Sequence, residues 1–314
     1  MAGRFSPPLA GSMSAANSRR PIFAEWLRLA RPFSLTASAV PVLLGTALAL
    51  EDGAFALGPF LAMLFGSLLI QAATNMFNEY YDERRGLDVA GAVGIAGSIV
   101  QGRMHARAVL LGALFCYTVA LLCGIYLVVV GGWPILALGC LCALSGYLYS
   151  AGPRPIAYTP LSEVAVFVFM GILIVVIAYA VQDPGSFPSR VPLAALPIGG
   201  PVAAILLANN IRDMGSDRRG GRRTLPIVLG REVGVLIYRA LVLEAYLAAA
   251  VLMALRIVPL DCALVFLSAA AAIRLARDIA VTTTPERLDP VVKRTAGLHL
   301  AFGLLYTLGI LLGG

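Results

Sequence analysis

The chain has 314 residues, of which 59% are apolar and only 13% charged, with a formal net charge of +7. Soluble domains carry about 25% charged residues, so the composition excludes an ordinary water-soluble globule; apolar stretches near the length of about 20 residues that spans a bilayer as a helix recur instead. They lack the short alternating pattern of a membrane β-barrel, and no long polar linker divides them, so the expectation is one all-α membrane bundle.

In chain order, residues 1–20, MAGRFSPPLAGSMSAANSRR, hold Pro, Ser and Arg, no acid, and no apolar core of a secretory signal. They predict a flexible cytoplasmic tail ahead of a single membrane domain over residues 21–314. In FAEWLRLARP, Phe23, Trp26, Leu27 and Ala30 keep helical spacing, which predicts an interfacial helix with Trp26 at headgroup level. Nine spans follow: Pro32–Leu50, Pro59–Tyr81, Ala108–Val130, Pro134–Tyr149, Leu161–Val181, Leu193–Ile211, Val233–Leu255, Leu260–Leu275 and Gly297–Leu312. Arg274 and Arg277 crowd the end of the eighth. The five cysteines (Cys116, Cys123, Cys140, Cys142 and Cys262) sit in or beside these runs and read as small apolar side chains. Cys140 and Cys142 lack metal-ligand spacing.

With nine spans, the tail and the even-numbered loops share one side. That side receives Arg28, Arg31, Arg84, Arg85, Arg103, Arg107, Arg154 and the clusters over 212–231 and 274–294. The other side has Arg190 and Arg256 beside Glu51, Asp52, Asp183 and Asp261. The positive-inside rule then places the tail and the charged loops in the cytoplasm, with the bundle in the cell (inner) membrane. The positive face suits anionic lipid headgroups or anionic substrates. The chain carries no nucleic-acid motif, and no motif sets an oligomeric state.

The second and sixth spans end alike. NMFNEYYDERRGLD, from Asn75 to Asp88, and NNIRDMGSDRRGG, from Asn209, share N-x-x-[N/D]-x-x-x-D followed by Arg-Arg-Gly. Asn75 matches Asn210, Asn78 matches Asp213, and Asp82 matches Asp217. At about 100° per residue these offsets fall on one helix face. Two such faces turned toward each other form a nest of carboxylate and amide oxygens with no imidazole or thiolate. That donor set suits Mg²⁺, which takes few protein carboxylates and fills its shell with water and phosphate. Neighbouring arginines suit the remaining charge of a phosphate.

Between spans four and five, Gly152, Pro153, Pro155 and Pro160 break the helix in YLYSAGPRPIAYTPLSE. That loop puts Tyr149, Arg154 and Tyr158 on the cytoplasmic face, either as an ordinary interfacial turn or as part of the site. Away from the span ends, only Arg239 and Glu244 lie inside a span, the seventh, at a separation poor for a direct helical pair. Intramembrane charges can mark a transport path, so a secondary transporter stands as an alternative, although the acids here gather at span ends.

These motifs resemble the UbiA superfamily of intramembrane aromatic prenyltransferases over essentially the whole chain. ARPFSLTASAVPVLLGTALA, NMFNEYYDERRGLD, YSAGPRPIAYTPLSE and NNIRDMGSDRRGGRRTLP are most similar to its MenA-type branch, the 1,4-dihydroxy-2-naphthoate polyprenyltransferases. Asp88, with Gly86 before it, follows that branch's spacing. One departure is Glu79, where the family commonly has Asp after Asn; its carboxylate reaches one methylene farther. The resemblance implies nine helices around a central cavity capped by cytoplasmic loops. It implies transfer from a polyprenyl diphosphate to the naphthoate with loss of CO₂, giving demethylmenaquinol. Acceptors such as 4-hydroxybenzoate or homogentisate stay open, because the metal motifs do not choose the acceptor. On this reading Asn78, Asp82, Asp213 and Asp217 hold Mg²⁺, with Asp88 and Asn210 helping. Arg31, Arg154, Arg222 and Arg223 take phosphate oxygens. Tyr149 faces the allylic cation, and Asn75, Asn210 and Tyr158 contact substrate.

Overall fold

Every apolar run drawn from the sequence is helical in the computed structural model, which describes residues 22–87, 93–94 and 97–314. The tail, residues 1–20, and Asp88 lie outside the described residues. The elements are α1 (Ile22–Ala30), α2 (Thr36–Glu51), α3 (Leu57–Arg84), α4 (Ala106–Gly131), α5 (Trp133–Ser150), α6 (Ser162–Ala180), α7 (Arg190–Arg219), α8 (Leu225–Leu229), α9 (Arg231–Ala254), α10 (Ala269–Val281) and α11 (Pro285–Gly313). No strand occurs among the described residues.

Seven of these helices are long and apolar enough to cross a membrane: α3, α4, α5, α6, α7, α9 and α11. The segment Ile22–Ser34 and α2 meet at 55° and make an eighth if the pair is one span. Pro32 and the left-handed Arg31 before it (φ 50°) cause the bend, since neither continues an α-helix. The expected eighth span, Leu260–Leu275, differs. Leu260–Ser268 winds as a tighter 3₁₀ helix before α10, and the charges of Arg274, Arg277 and Asp278 leave α10 short of a long apolar stretch. The α1 helix forms, with Phe23 and Leu27 exposed and Trp26 half-buried against Gly112 of α4.

The bundle is organised around α7. In its apolar stretch 78% of residues are buried, against 11% for α5. Its run of Ala, Gly and Pro explains this, since small residues let neighbouring backbones approach. One core joins α2, α6, α7, α9 and α11 around Leu44, Ile198, Phe302 and Tyr306; a second joins α7, α9, α10 and α11 around Leu207, Tyr238 and Leu288. Gly45 of α2 marks the tightest crossing onto α6. A Cβ there would lie 2.3 Å from the Val175 carbonyl oxygen and 2.7 Å from Ala178 Cβ. G45V is therefore expected to destabilise the protein by about 1–3 kcal/mol through overpacking. A lower thermal unfolding midpoint in detergent checks this, and an unchanged midpoint would refute it.

Of the two charges in the seventh predicted span, Arg239 Nε donates to the Ala276 carbonyl at 2.9 Å, and Glu244 lies against Gly200 of α7. They serve helix packing and do not pair with each other. At the end of the bundle holding Glu51, Arg190 bonds Glu51 Oε2 at 2.9 Å and Asp52 Oδ1 at 2.6 Å, and the Tyr179 hydroxyl donates to Asp52 Oδ2 at 2.6 Å. Burial pushes Asp52 up, but the Arg190 and Tyr179 hydrogen bonds more than reverse that and hold it below its usual value. This clasp ties α2, α6 and α7 at the end opposite the repeated motifs.

Candidate active site

The two repeated motifs close α3 and α7 at the same end of the bundle. Asn75, Asn78, Asp82, Asn210, Asp213 and Asp217 all line one cavity of about 730 Å³. Asn75, Asp82, Asn210 and Asp217 are each buried. From this polar end the cavity runs along α4, α5 and α6 past apolar side chains such as Leu121, Leu136, Phe169 and Ile174. The site therefore joins a charged head to an oily channel.

Arg222 ties the two motifs together. Helix α7 ends at Gly220, and Gly221 adopts φ 74°, which a side-chain-bearing residue seldom does. The Arg222 amide then donates back to the Asp217 carbonyl at 2.9 Å, so its side chain returns over the helix end. Its guanidinium pairs with Asp82 Oδ2 and, at 3.1 Å, with Asp217 Oδ1. It also stacks 4.7 Å above the Tyr158 ring. Burial works against the charge on Arg222, but the Asp82 and Asp217 carboxylates outweigh it and raise the group above its usual value. The Tyr158 hydroxyl donates to Asp82 Oδ1 at 3.1 Å. Burial and the Asp82 carboxylate push that hydroxyl above its usual value, so it stays protonated.

The remaining predicted residues divide into those at the cavity and those away from it. Arg31 and Tyr149 line it, and Arg31 Nε is buried without a hydrogen bond. Asp213 lines it too, gripped by Arg212 through bonds of 2.8 and 2.7 Å, while Arg212 also reaches Asp289 at 2.9 Å. Arg154 and Arg223 are exposed and lie outside the cavity wall, and Tyr158 reaches it only through Asp82 and Arg222. Asp88 lies outside the described residues.

The donor chemistry fits a hard divalent cation. Among the described residues no three His, Cys, Asp or Glu side chains converge into a complete cage, but Mg²⁺ takes only one or two protein carboxylates. Asp217 Oδ2 is buried with no hydrogen-bond partner, a carboxyl oxygen left open for a ligand. Asn75, Asn78 and Asn210 add neutral oxygens around the same cavity.

Four side chains have roles that the sequence reading did not assign. Glu79 is 1% exposed and accepts the backbone N–H groups of Gly97, Ser98 and Ile99 at 3.2, 2.6 and 3.3 Å. It anchors the chain that returns from α3 toward α4, and its extra methylene gives that reach. Arg85 bonds the Ser150 and Gly152 carbonyls at 2.8 and 3.1 Å and so staples the turn after α5. Arg212 and Glu163 are the others. Glu79 left a trace in the sequence as the departure from the usual Asp, and Arg85 as part of the Arg-Arg-Gly that follows the first motif. E79A strips the acceptor from three backbone donors, two of them on buried residues, and should destabilise the protein by about 1–3 kcal/mol. Hydrogen exchange at Gly97, Ser98 and Ile99 should accelerate; unchanged protection would refute the anchor.

Residues 38–310 match the UbiA prenyltransferase family. The 1,4-dihydroxy-2-naphthoate octaprenyltransferase of Bacillus subtilis (strain 168) is 40% identical over 285 residues, 91% of each chain. The enzyme of the same name from Escherichia coli (strain K12) is 32% identical, over 91% of this chain and 95% of its own. A solved UbiA homologue from Archaeoglobus fulgidus, bound to DMAPP and Mg²⁺, superposes with a TM-score of 0.61 at 18% identity, covering 90% of this chain and 99% of that one.

Proposed function

The chain belongs to the UbiA prenyltransferase family, and from that premise we propose that it transfers a polyprenyl group from a polyprenyl diphosphate to 1,4-dihydroxy-2-naphthoate. The ring carboxylate leaves as CO₂ and the product is demethylmenaquinol, a step of menaquinone synthesis. The observation that carries the reaction type is one cavity with two matched Asn/Asp faces at its head and an apolar channel behind. The naphthoate acceptor is supported by 40% identity, over nine-tenths of both chains, to an enzyme named for that substrate. A transporter reading loses its support, because Arg239 and Glu244 serve helix packing.

The allylic C–O bond breaks with its electron pair on the diphosphate. The ring carbon bearing the carboxylate forms the new C–C bond, and the C–CO₂ pair returns to the ring as CO₂ departs. Asp82, Asp217, Asn78 and Asp213, assisted by Asn75, Asn210 and Asp88, would hold a divalent cation, which would supply positive charge to the leaving oxygens. Arg222 and Arg31 bind the remaining phosphate oxygens, with Arg154 and Arg223 meeting the substrate from outside. The Tyr149 ring, on the cavity wall, stabilises the allylic cation. Apolar walls exclude water that would otherwise capture that cation, and each CH₂ of the tail buried there contributes about 0.8 kcal/mol. The charged end faces the cytoplasmic side of the cell membrane in this reading, which the distribution of Arg supports.

The test offers membranes holding this protein a panel of aromatic acceptors with one prenyl diphosphate and Mg²⁺, followed by mass spectrometry of the lipid extract. The expected product is the decarboxylated prenyl naphthol, lost on chelation of divalent cations. Transfer to 4-hydroxybenzoate or homogentisate in preference to the naphthoate would replace the acceptor. Turnover undiminished by chelation would overturn the metal site.

A further inference from the structure

Two buried asparagines share an arrangement that the charge pairs do not explain. Asn75 on α3 and Asn210 on α7 open the two copies of the repeated pattern, and both line the cavity. Asn75 Nδ2 donates to the Ala30 carbonyl at 2.8 Å and to Ser34 Oγ at 2.9 Å. A backbone carbonyl only accepts, so the amide nitrogen must face the bend between α1 and α2. Asn210 Nδ2 donates to Glu163 Oε1 at 2.8 Å, while Ser162 Oγ donates to Glu163 Oε2 at 3.0 Å. A carboxylate likewise only accepts. Among the described residues no hydrogen bond reaches Oδ1 of either asparagine, so each amide offers its oxygen to the cavity.

Glu163 itself is 4% exposed and not part of the cavity wall. A buried carboxylate placed behind a neutral amide needs a reason. We infer that Glu163 is a positioning residue for the divalent cation: by holding Asn210 Nδ2 it fixes Asn210 Oδ1 as a neutral oxygen ligand, as the Ala30–Ser34 bend does for Asn75. Neutral oxygens suit this site. Asp82, Asp213 and Asp217 already surround it, and a diphosphate brings more negative charge. An amide free to rotate must be oriented when the cation arrives, and anchoring its NH₂ fixes the oxygen toward the cavity beforehand. The inference rests on the metal-dependent reading above.

The test measures Mn²⁺ binding to the purified full chain by electron paramagnetic resonance, with inorganic pyrophosphate present, so that no turnover is needed. Glu163→Leu, which fills the same volume without an acceptor, is expected to weaken Mn²⁺ binding by about 10- to 100-fold. Glu163→Gln keeps an acceptor oxygen at the same reach and can turn its amide nitrogen to the Ser162 hydroxyl, so binding should stay within a few-fold of wild type. Asn210→Ala should match Glu163→Leu, and the double variant should bind no worse than Asn210→Ala alone. Wild-type affinity in Glu163→Leu, additive losses in the double variant, or wild-type affinity in Asn210→Ala would each overturn the role of Glu163. Absence of Mn²⁺ binding in the wild type would overturn the metal reading itself, and this inference with it.

Discussion

Asp217→Asn is expected to lower prenyl transfer at saturating Mg²⁺ and prenyl diphosphate by about 10²- to 10³-fold, the loss that follows removal of one preorganised partner of a developing charge. Asp217 is the acid best placed to bind a cation. It is buried, it opens on the cavity, and one of its oxygens has no partner while the other meets Arg222. Asn keeps the shape but removes the charge. Asp213→Asn should fall in the same direction by a smaller factor, because Arg212 already holds both Asp213 oxygens. Turnover near normal in both variants, with folding verified by size-exclusion chromatography, would remove the metal assignment.

Arg222→Ala should act on the resting protein as well as on catalysis. The guanidinium bridges Asp82 and Asp217, whose side chains are only 5% and 6% exposed. Removing one member of such a buried set leaves uncompensated charge and costs about 3–5 kcal/mol. The thermal unfolding midpoint in detergent should drop, and Mg²⁺ with pyrophosphate should restore more stability to the variant than to the wild type, since ligand binding adds to whatever is folded and here also replaces the lost cation. Arg222→Lys keeps the charge but not the fork that reaches two carboxylates, and should fall between. Equal ligand-induced shifts in wild type and Arg222→Ala would show that the bridge and the cation do not share the carboxylates.

Much of this was legible in the sequence because it rested on local rules. Apolar runs gave the helices, and the repeated offsets of Asn75, Asn78 and Asp82 against Asn210, Asp213 and Asp217 gave two faces that line one cavity. What stayed hidden depended on contacts between distant segments. Nothing in the spacing of Glu163 says that it meets Asn210, 47 positions away. Arg222 and Arg223 are neighbours of the same type, yet the turn at Gly221 sends one to the carboxylates and leaves the other exposed. The count of spans drifted for a different reason. Apolar composition alone does not distinguish an α-helix from the 3₁₀ turns of Leu260–Ser268.

The Arg190 clasp has a consequence for the direction of traffic. Among the described residues none of the charged ones at that end lines the cavity, whose wall there is made of residues such as Leu127, Val128 and Ile135. A polyanion has no route through such a wall, so the diphosphate set free must leave by the face at which it arrived. The chemistry is therefore scalar rather than vectorial. It extends a lipid within the membrane while moving no net charge from one compartment to the other, and a membrane potential should leave its equilibrium untouched.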